Sequence, residues 1–566
     1  MLLPVRSAVM SSVMLCFLSL ALFAMPVSAE NAMDGETETP VVQENMDRTV
    51  PAQKPPKQTQ QAAQEQTFEI YAFKLEGNTI FTTQRLLDLL DDLVGMGRTA
   101  ADVEKARDIL EKFYHDEGYP AVLVNIPEQK VEDGMIRLQV IESRVTVTRL
   151  TGNRYFSTDL ILGKLPSIAP GAILYTQTLQ NELNKVNRNP DLKVSPTAMA
   201  QGKELGTIEV DLKAEDNRPF HGSLEVDDRN SHDTTPLRLN LAAHYDNLWG
   251  IEHSLGVQYQ FSPQKPDEVE VVSGSYTLPA PWDSDSSIVL YGVYSNSNTT
   301  TFSTNFNSIG KGEIIGTRYV IPFPAYNAYN HSAVLGFDYK NFAESSGLVG
   351  DPNGVISSPV EYMPLTLAYN ASLADSTGTT MFNAGFNMAF RGLIAKAQNF
   401  SDKRFKARDN YFFATLGVER QQRLPYGAGL GVKLDGQIAD QPLISNEQYP
   451  AGGMESVRGY KESEVMGDSA FHGMIELKAP DLAPHIGLDE RFQLIPYTFY
   501  DFAVVWMKEP LPGQDAAMEL QGTGVGIRGR LFKDVEFQTD LGFALVDTSR
   551  IRMGNNLVHF KVKYQF

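Results

Sequence analysis

From residue 217 onward, apolar and polar positions alternate with a period of two, in short segments separated by turn residues. Leu255, Val257, Tyr259 and Phe261 form one such row, and Ala333, Leu335, Phe337 and Tyr339 another. Phe382, Ala384, Phe386, Met388 and Phe390 form a third, and Val535, Phe537, Thr539, Leu541, Phe543 and Leu545 a fourth. A period of two puts each row on one face of a β-strand. The same alternation would suit a soluble sandwich, but three features favour a membrane barrel. The segments are about ten residues long, the length of a tilted strand crossing hydrocarbon. Tight connections (GRLFKDVEF) alternate with long ones (SNEQYPAGGMESVRGYKESEVMGDS). The chain also ends HFKVKYQF, with Phe560, Val562, Tyr564 and the terminal aromatic Phe566 on one face. Sixteen candidate antiparallel strands can be counted over 217–566, an even number, as a barrel with both ends on the periplasmic side requires. Closure is obligatory, because each unpaired backbone group in lipid costs several kcal/mol.

The pattern differs over 66–216, where a helix period of 3.6 appears and a motif is repeated. FEIYAFKLEGNTIFTTQRLLDLL resembles VTVTRLTGNRYFSTDLILGKL: an alternating strand runs into Gly77-Asn78 or Gly152-Asn153, then an aromatic, then a helix. The first copy continues with a helix carrying Val103, Ala106, Ile109, Leu110 and Phe113 on one face, then two strands turning at Asp133-Gly134. The second continues with the helix TQTLQNELNKVNRNP and two further strands. Each copy, 66–142 and 143–216, therefore reads β-α-α-β-β: one small sheet covered by two helices.

Upstream, residues 1–29 read as a secretory signal peptide. Arg6 precedes an apolar run from Ala8 to Ala24, and Val27-Ser28-Ala29 supplies a small-residue exit. The chain's one cysteine, Cys16, lies in that run, between Leu15 and Phe17, and leaves with it. The mature chain then has no disulfide, thiolate metal site or cysteine nucleophile. Residues 30–65 form a Pro/Gln-rich linker too poor in apolar residues to offset the entropy of ordering. The net charge is −20, and more negative once Arg6 is removed, which opposes binding to nucleic acid.

The longest predicted loop, 438–470, carries Val457-Arg458-Gly459-Tyr460, and the strand YTFYDFAVVW carries Phe499-Tyr500-Asp501. With the signal peptide, the two repeats and the barrel, these motifs resemble the TpsB transporters of two-partner secretion, a branch of the outer-membrane POTRA-barrel superfamily. The resemblance covers nearly all of the chain after the linker. In that family a VRGY tip sits on the sixth surface loop and folds into the pore, and an (F/G)-x-D pattern lies on the thirteenth strand. The repeats would then be two α+β POTRA domains in the periplasm. The barrel would sit in the outer membrane of a Gram-negative cell, in contact with lipid and placed there by the barrel assembly machinery. The resemblance implies that Arg458 pairs with Asp501. A desolvated guanidinium calls for such a bidentate carboxylate; a solvated loop arginine and a lumen aspartate lining water are the alternatives. Phe499 and Asp501 share one face, with Tyr500 and Phe502 opposite. Gly459 permits close backbone approach, and Tyr460 can stack or hydrogen-bond at the wall. The family plugs its pore with an N-terminal helix, and here the region before the repeats shows no clear helix.

Other motifs resolve negatively. Gly524-x-Gly526-x-x-Gly529 matches a dinucleotide fingerprint, but no helix follows it. Instead Gly522, Gly524 and Gly526 strip one face of a strand, leaving room for an inward loop. Gly467-Asp468-Ser469 has no histidine partner by position, and the paired acids Asp91-Asp92 and Asp227-Asp228 read as solvated faces. The nine histidines show no ligand spacing, so no metal, cofactor or enzymatic activity is expected. The expected function is recognition of an unfolded, TpsA-type exoprotein through the POTRA domains and its translocation through the pore, with activation in transit as one option. The alternatives are a barrel assembly factor, which usually carries more POTRA domains, and a passive porin, which carries none.

Overall fold

The structure, a computed structural model, describes residues 67–566 apart from 131, 132, 233, 298–300, 304, 305, 310, 344, 348–354 and 358. The predicted leader and linker, and with them any plug helix, lie outside the described residues.

Residues 220–565 close into an antiparallel barrel in which every strand pairs with its sequence neighbours and the last (Asn556–Gln565) pairs with the first (Phe220–Asp227). The strand count is sixteen, because Val360–Tyr362 and Pro364–Asp375 are one strand interrupted at Met363: both pair with Tyr329–Phe342 in continuous register. Burial along these strands is inverted relative to a soluble protein. Leu241, Leu255, Val257, Leu335, Phe337, Phe386, Val525 and Val562 are exposed on the outer wall, whereas Asp227, Asn240, Asp338, Glu476, Asp501 and Asp540 are buried inside. An outer surface of this composition is stable only against lipid. Phe566 lies outside and closes the seam: its backbone exchanges two 3.0 Å hydrogen bonds with Gly222 of the first strand, and its ring covers the place where a Gly222 side chain would stand.

Before the barrel come two compact units with the same construction. In the first, Ala72–Glu76 runs parallel to Met135–Glu142, which pairs antiparallel with Val122–Asn125; in the second, Arg144–Thr151, Thr207–Asp216 and Leu192–Gln201 repeat that order. The repeat extends to individual atoms. Gly77 and Gly152 both adopt φ +90°, and a Cβ on either would overlap a carbonyl of the central strand, Val140 or Ala214. Asn78 Nδ2 donates to the Phe81 carbonyl (3.0 Å) and Thr83 Oγ1 (3.1 Å); Asn153 Nδ2 donates to the Phe156 carbonyl (2.9 Å) and Thr158 Oγ1 (3.2 Å). A carboxylate ending the central strand then collects the loop amides: Glu142 from Thr79 and Ile80, and Asp216 from Arg154, Tyr155 and Phe156. The Gly-Asn pair is thus a strand-to-helix turn that uses the amide side chain as a brace. The first unit departs from β-α-α-β-β in one respect. Its first helix is short (Thr83–Leu87), passes into a 3₁₀ segment (Asp88–Leu93), and is followed by Gly95–Arg98, which pairs with Phe68–Ile70 as an added ribbon. Gly95 and Gly97, at φ +126° and +73°, make that excursion possible.

Candidate functional site

The segment between the eleventh strand (Gly429–Ala439) and the twelfth (Ser469–Lys478) folds into the barrel. A short ribbon, Tyr449–Ala451 with Val465–Gly467, brings it inward. Gly452 and Gly453, at φ +105° and +110°, then turn the chain toward its tip. There Val457 and Tyr460 are fully buried and Arg458 is 1% exposed.

The thirteenth strand (Gln493–Trp506) supplies the wall. Its period of two sends Tyr497, Phe499 and Asp501 inward, all buried, and leaves Tyr500 outside. Arg458 Nε and Nη2 donate to the two oxygens of Asp501 at 2.7 and 2.8 Å, and the Arg458 amide adds a third bond at 3.1 Å. Nη1 donates to Glu476 of the twelfth strand at 2.8 Å and lies 3.7 Å from Asp540 of the fifteenth (Val535–Ala544). The guanidinium carbon sits 3.5 Å from the centroid of the Phe499 ring, a cation–π stack. Glu476 is shared with Arg528 (2.7 and 2.9 Å), whose own guanidinium lies over Tyr497, and the Tyr497 hydroxyl donates to Asp540. Three carboxylates therefore meet Arg458 and Arg528, with Lys478 Nζ 3.7 Å from Glu476 as a third cation. The network is nearly neutral, which is the condition for burying charge in a wall.

Backbone contacts fix the tip to the fourteenth strand (Ala517–Leu531) and the fifteenth. Tyr460 Oη donates to the Val546 carbonyl (2.7 Å), accepts from the Val546 amide (3.1 Å) and lies 3.0 Å from the Gln521 carbonyl. Gly459, at φ +96°, has no room for a side chain: a Cβ would stand 2.8 Å from the Phe543 carbonyl carbon and 2.9 Å from the Ala544 nitrogen. The three wall glycines divide the work differently from a single cleared face. Of the three, Gly522 opposes the loop, where a Cβ would overlap the Arg458 carbonyl oxygen. Gly524 and Gly526 stand opposite Phe499 and Tyr497 in register and make room for their rings, on which the two arginines then lie. A fourth glycine, Gly542, which sequence reasoning missed, also meets the loop, with a Cβ 2.5 Å from the Gly459 nitrogen.

Sequence reasoning also missed Glu476, Asp540, Arg528 and a second brace. His472 of the twelfth strand places Nδ1 2.8 Å from Asp435 and Nε2 3.2 Å from the Ser456 carbonyl, two residues before the tip arginine. Asp468 holds the base of the loop. One oxygen accepts from the Leu443 amide and Gln448 Nε2, the other from Arg404 Nη2 (2.8 Å) and the Lys508 amide (2.7 Å). The adjacent Ser469 Oγ accepts from the Ala439 amide. Gly467-Asp468-Ser469 is thus a structural tie between surface loops. Asp227, read as solvated from the sequence, is buried in a lumen pair with Arg229 (3.1 Å). The histidines are also less scattered than their spacing indicates, because strand pairing sets His221 opposite His244.

A lipid-facing barrel with a polar lumen, preceded by β-α-α-β-β units and filled by a latched loop, defines an outer-membrane POTRA-barrel protein. Comparison with known proteins narrows this. The family model described as "POTRA domain, ShlB-type" matches residues 68–143, and "Haemolysin secretion/activation protein ShlB/FhaC/HecB" matches 206–320 and 360–529. The chain belongs to this ShlB/FhaC/HecB family. Over 510 residues it is 21% identical to the heme/hemopexin transporter protein HuxB of Haemophilus influenzae, covering 86% of this chain and 84% of that one. Among solved structures it is similar to CdiB from Escherichia coli (TM-score 0.61, 16% identity, 90% of this chain and 93% of that). It is also similar to BamA from Haemophilus ducreyi lacking POTRA domains 1–3 (TM-score 0.53, 15% identity, 88% and 100%). The last two show the fold alone; the family match goes beyond it. The protein is an outer-membrane transporter of two-partner secretion, with its POTRA region in the periplasm and a secreted exoprotein as partner.

Proposed function

We propose that this chain captures its unfolded exoprotein at the sheet edges of two periplasmic POTRA domains and passes it, extended, through the barrel lumen, with Arg458 and Asp501 as the latch that seals the lumen between passages. The observation that carries this reading is the fully desolvated, doubly bonded Arg458 on a loop whose base and tip are both tied to the inner wall. The second unit, 143–216, acts as the second POTRA domain, because it repeats the brace and sheet order of the first. Each unit's sheet is three-stranded and so carries edge strands, the physical basis of β-augmentation. The outer wall contacts lipid directly, and insertion depends on the barrel assembly machinery, for which the Phe566 face is the recognition element. The pore does no chemistry of its own: Asp468 and Ser469 are engaged as structural acceptors.

Co-expression with a candidate exoprotein partner, assayed in the medium, tests this reading. Export to the medium is expected with the intact chain. Deletion of residues 66–142 should abolish export while the barrel still assembles; export that persists would remove the docking role of that unit.

A further inference from the structure

At the periplasmic mouth of the barrel lies a cluster that takes no part in the latch. His221 of the first strand and His244 of the second (Arg238–Leu248) are direct cross-strand partners, with rings 4.9 Å apart and inclined by 31°. Asp246, two residues along, falls on the same inward face. The nearest ligand atoms of His221, His244 and Asp246 all lie within 4.8 Å of one another. His244 Nε2 is 3.2 Å from Asp246 Oδ2, and His221 Nε2 is 3.9 Å from the same oxygen. A fourth group comes from the periplasmic unit: Asp191 Oδ2, 2.8 Å from His221 Nε2. Asp191 is itself held in place, its amide donating to Asn189 Oδ1 (3.0 Å) and its carbonyl accepting from the Asn217 amide (2.8 Å).

We propose that His221, His244 and Asp246, with Asp191 in the fourth position, bind one divalent transition-metal ion of the Zn²⁺ class and thereby fasten the second periplasmic unit to the barrel. The donor set carries the choice of ion. Two imidazoles with carboxylates suit Zn²⁺, whereas Ca²⁺ and Mg²⁺ require oxygen donors throughout. A tetrahedral ion with bonds of about 2.0–2.1 Å separates its ligand atoms by about 3.3 Å. The separations within the cluster, 2.8 Å from His221 to Asp191, 3.2 Å from His244 to Asp246 and 3.9 Å from His221 to Asp246, bracket that value. Asp246 is oriented for the role. Its Oδ1 accepts from Ser254 Oγ at 2.6 Å, which leaves Oδ2 toward the histidines, the arrangement that outer partners give metal-ligating carboxylates. The side chains of His221 and His244 are 34% and 48% exposed, so an ion can reach them from the mouth. Three ligands stand on barrel strands and one on the periplasmic unit, so a bound ion is a cross-link between them.

The test uses the full-length, tag-free protein in detergent micelles after chelator treatment. Co²⁺ titration should give the visible absorption of a tetrahedral site at one ion per chain, and one equivalent of Zn²⁺ should displace it. His221→Gln and His244→Gln should each weaken Zn²⁺ binding at least about 100-fold, and Asp191→Asn about 10-fold. Zn²⁺ should raise the unfolding midpoint of the wild type and leave that of His244→Gln unchanged. Heat-modifiable gel migration confirms that each variant is a closed barrel, and Asp246→Asn serves if a histidine variant fails to assemble. Absence of a stoichiometric Co²⁺ signal, or equal Zn²⁺ affinity in wild type and His244→Gln, overturns the site and leaves the cluster as a hydrogen-bonded staple. Unchanged affinity in Asp191→Asn overturns the cross-link.

Discussion

Arg458→Ala is the sharpest perturbation of the latch, because the structure says which partner it orphans. Glu476 keeps two bonds from Arg528, and Asp540 keeps the Tyr497 hydroxyl and Gln538 Nε2 (2.8 Å). Asp501 keeps only the amide of residue 458, at 3.1 Å, while buried at 0% exposure. Removing one member of a buried pair costs about 3–5 kcal/mol, most of it from the charge left behind. At 1.4 kcal/mol per decade, docking of the tip is weakened by a factor of roughly 100 to several thousand. The cost falls on the loop and spares the barrel, whose sixteen-strand ladder Arg458 does not join. Expected results are normal heat-modifiable barrel in the outer membrane, impaired secretion of the exoprotein, and faster maleimide labelling of a cysteine introduced at Glu455. That position lies three residues before the arginine, and Cys16 is the chain's only other cysteine. Asp501→Asn should act more weakly, because the cation retains Glu476 at 2.8 Å. Labelling and secretion within about twofold of wild type in Arg458→Ala would refute the reasoning, as would a larger effect from Asp501→Asn; the factor of two corresponds to less than about 0.5 kcal/mol.

Four further outcomes follow from the same geometry. Gly542→Ala should expel the tip through overlap with the Gly459 amide, at a cost of about 1–3 kcal/mol, and mimic Arg458→Ala in labelling; Gly274→Ala, with nothing nearer than 3.9 Å, should be neutral. Tyr460→Phe loses the hydroxyl bonded to Val546 and should weaken docking by about 1–2 kcal/mol, read as a proportionate rise in labelling rate. Asp468→Asn turns a fourfold acceptor into a side chain with a donor facing donors; it should lower the unfolding midpoint of the barrel and increase proteolysis of the surface loops. In the periplasmic units, Asn78→Ala and Asn153→Ala should destabilise their own units by similar amounts, about 1–3 kcal/mol for the braced carbonyls, as measured by limited proteolysis.

The sequence shows which face of a strand a residue occupies, but not its height on the wall. Alternation alone puts Phe499 and Asp501 on one face, which the family resemblance turns inward, and the Gly-Asn repeat alone announces two equivalent units. Glu476 and Asp540 also sit on inward rows, yet nothing in the alternation says that they reach the level of Arg458. That depends on the stagger between strands twelve, thirteen and fifteen, which pairing of the whole barrel decides. Gly542 is hidden for the same reason: the LGFA stretch shows a small residue without showing what approaches it. His221 and His244 lie 23 positions apart in sequence and become neighbours only through a hairpin register. The added ribbon at Gly95–Arg98 escapes because four residues, two of them glycine, carry too little alternation to mark a strand.

The latch must be both tight and releasable, and burial of charge reconciles the two. Removing one partner leaves an uncompensated carboxylate in the wall, which is why a single substitution is costly. Withdrawing the whole tip is different. Arg458 returns to water, and Asp501, Glu476 and Asp540 line a lumen that water enters, so each charge regains the hydration that docking took from it. Coulombic gain and desolvation nearly cancel for a well-bonded buried pair, and the net strength of the closed state then rests largely on the neutral contacts: Val457 in its pocket, the Tyr460 hydroxyl, and the close approach at Gly459. A polar lumen beside the latch, with a cavity of about 190 Å³ lined by Glu455, Lys433, Arg528 and Lys561, is already prepared for that exchange. On the proposed route the extended exoprotein therefore displaces the tip against a modest barrier, and the ion pairs serve chiefly to return it to one register. Substituting Val457 by alanine should then weaken closure, by the roughly 2–3 kcal/mol that a buried aliphatic side chain contributes, while leaving its register intact. Arg458→Ala should scatter the tip among several positions, and spin-label distances between the loop and the wall can separate the two: the unchanged docked distance at reduced population for the first, a broad distribution for the second. Identical distributions would refute this division of labour.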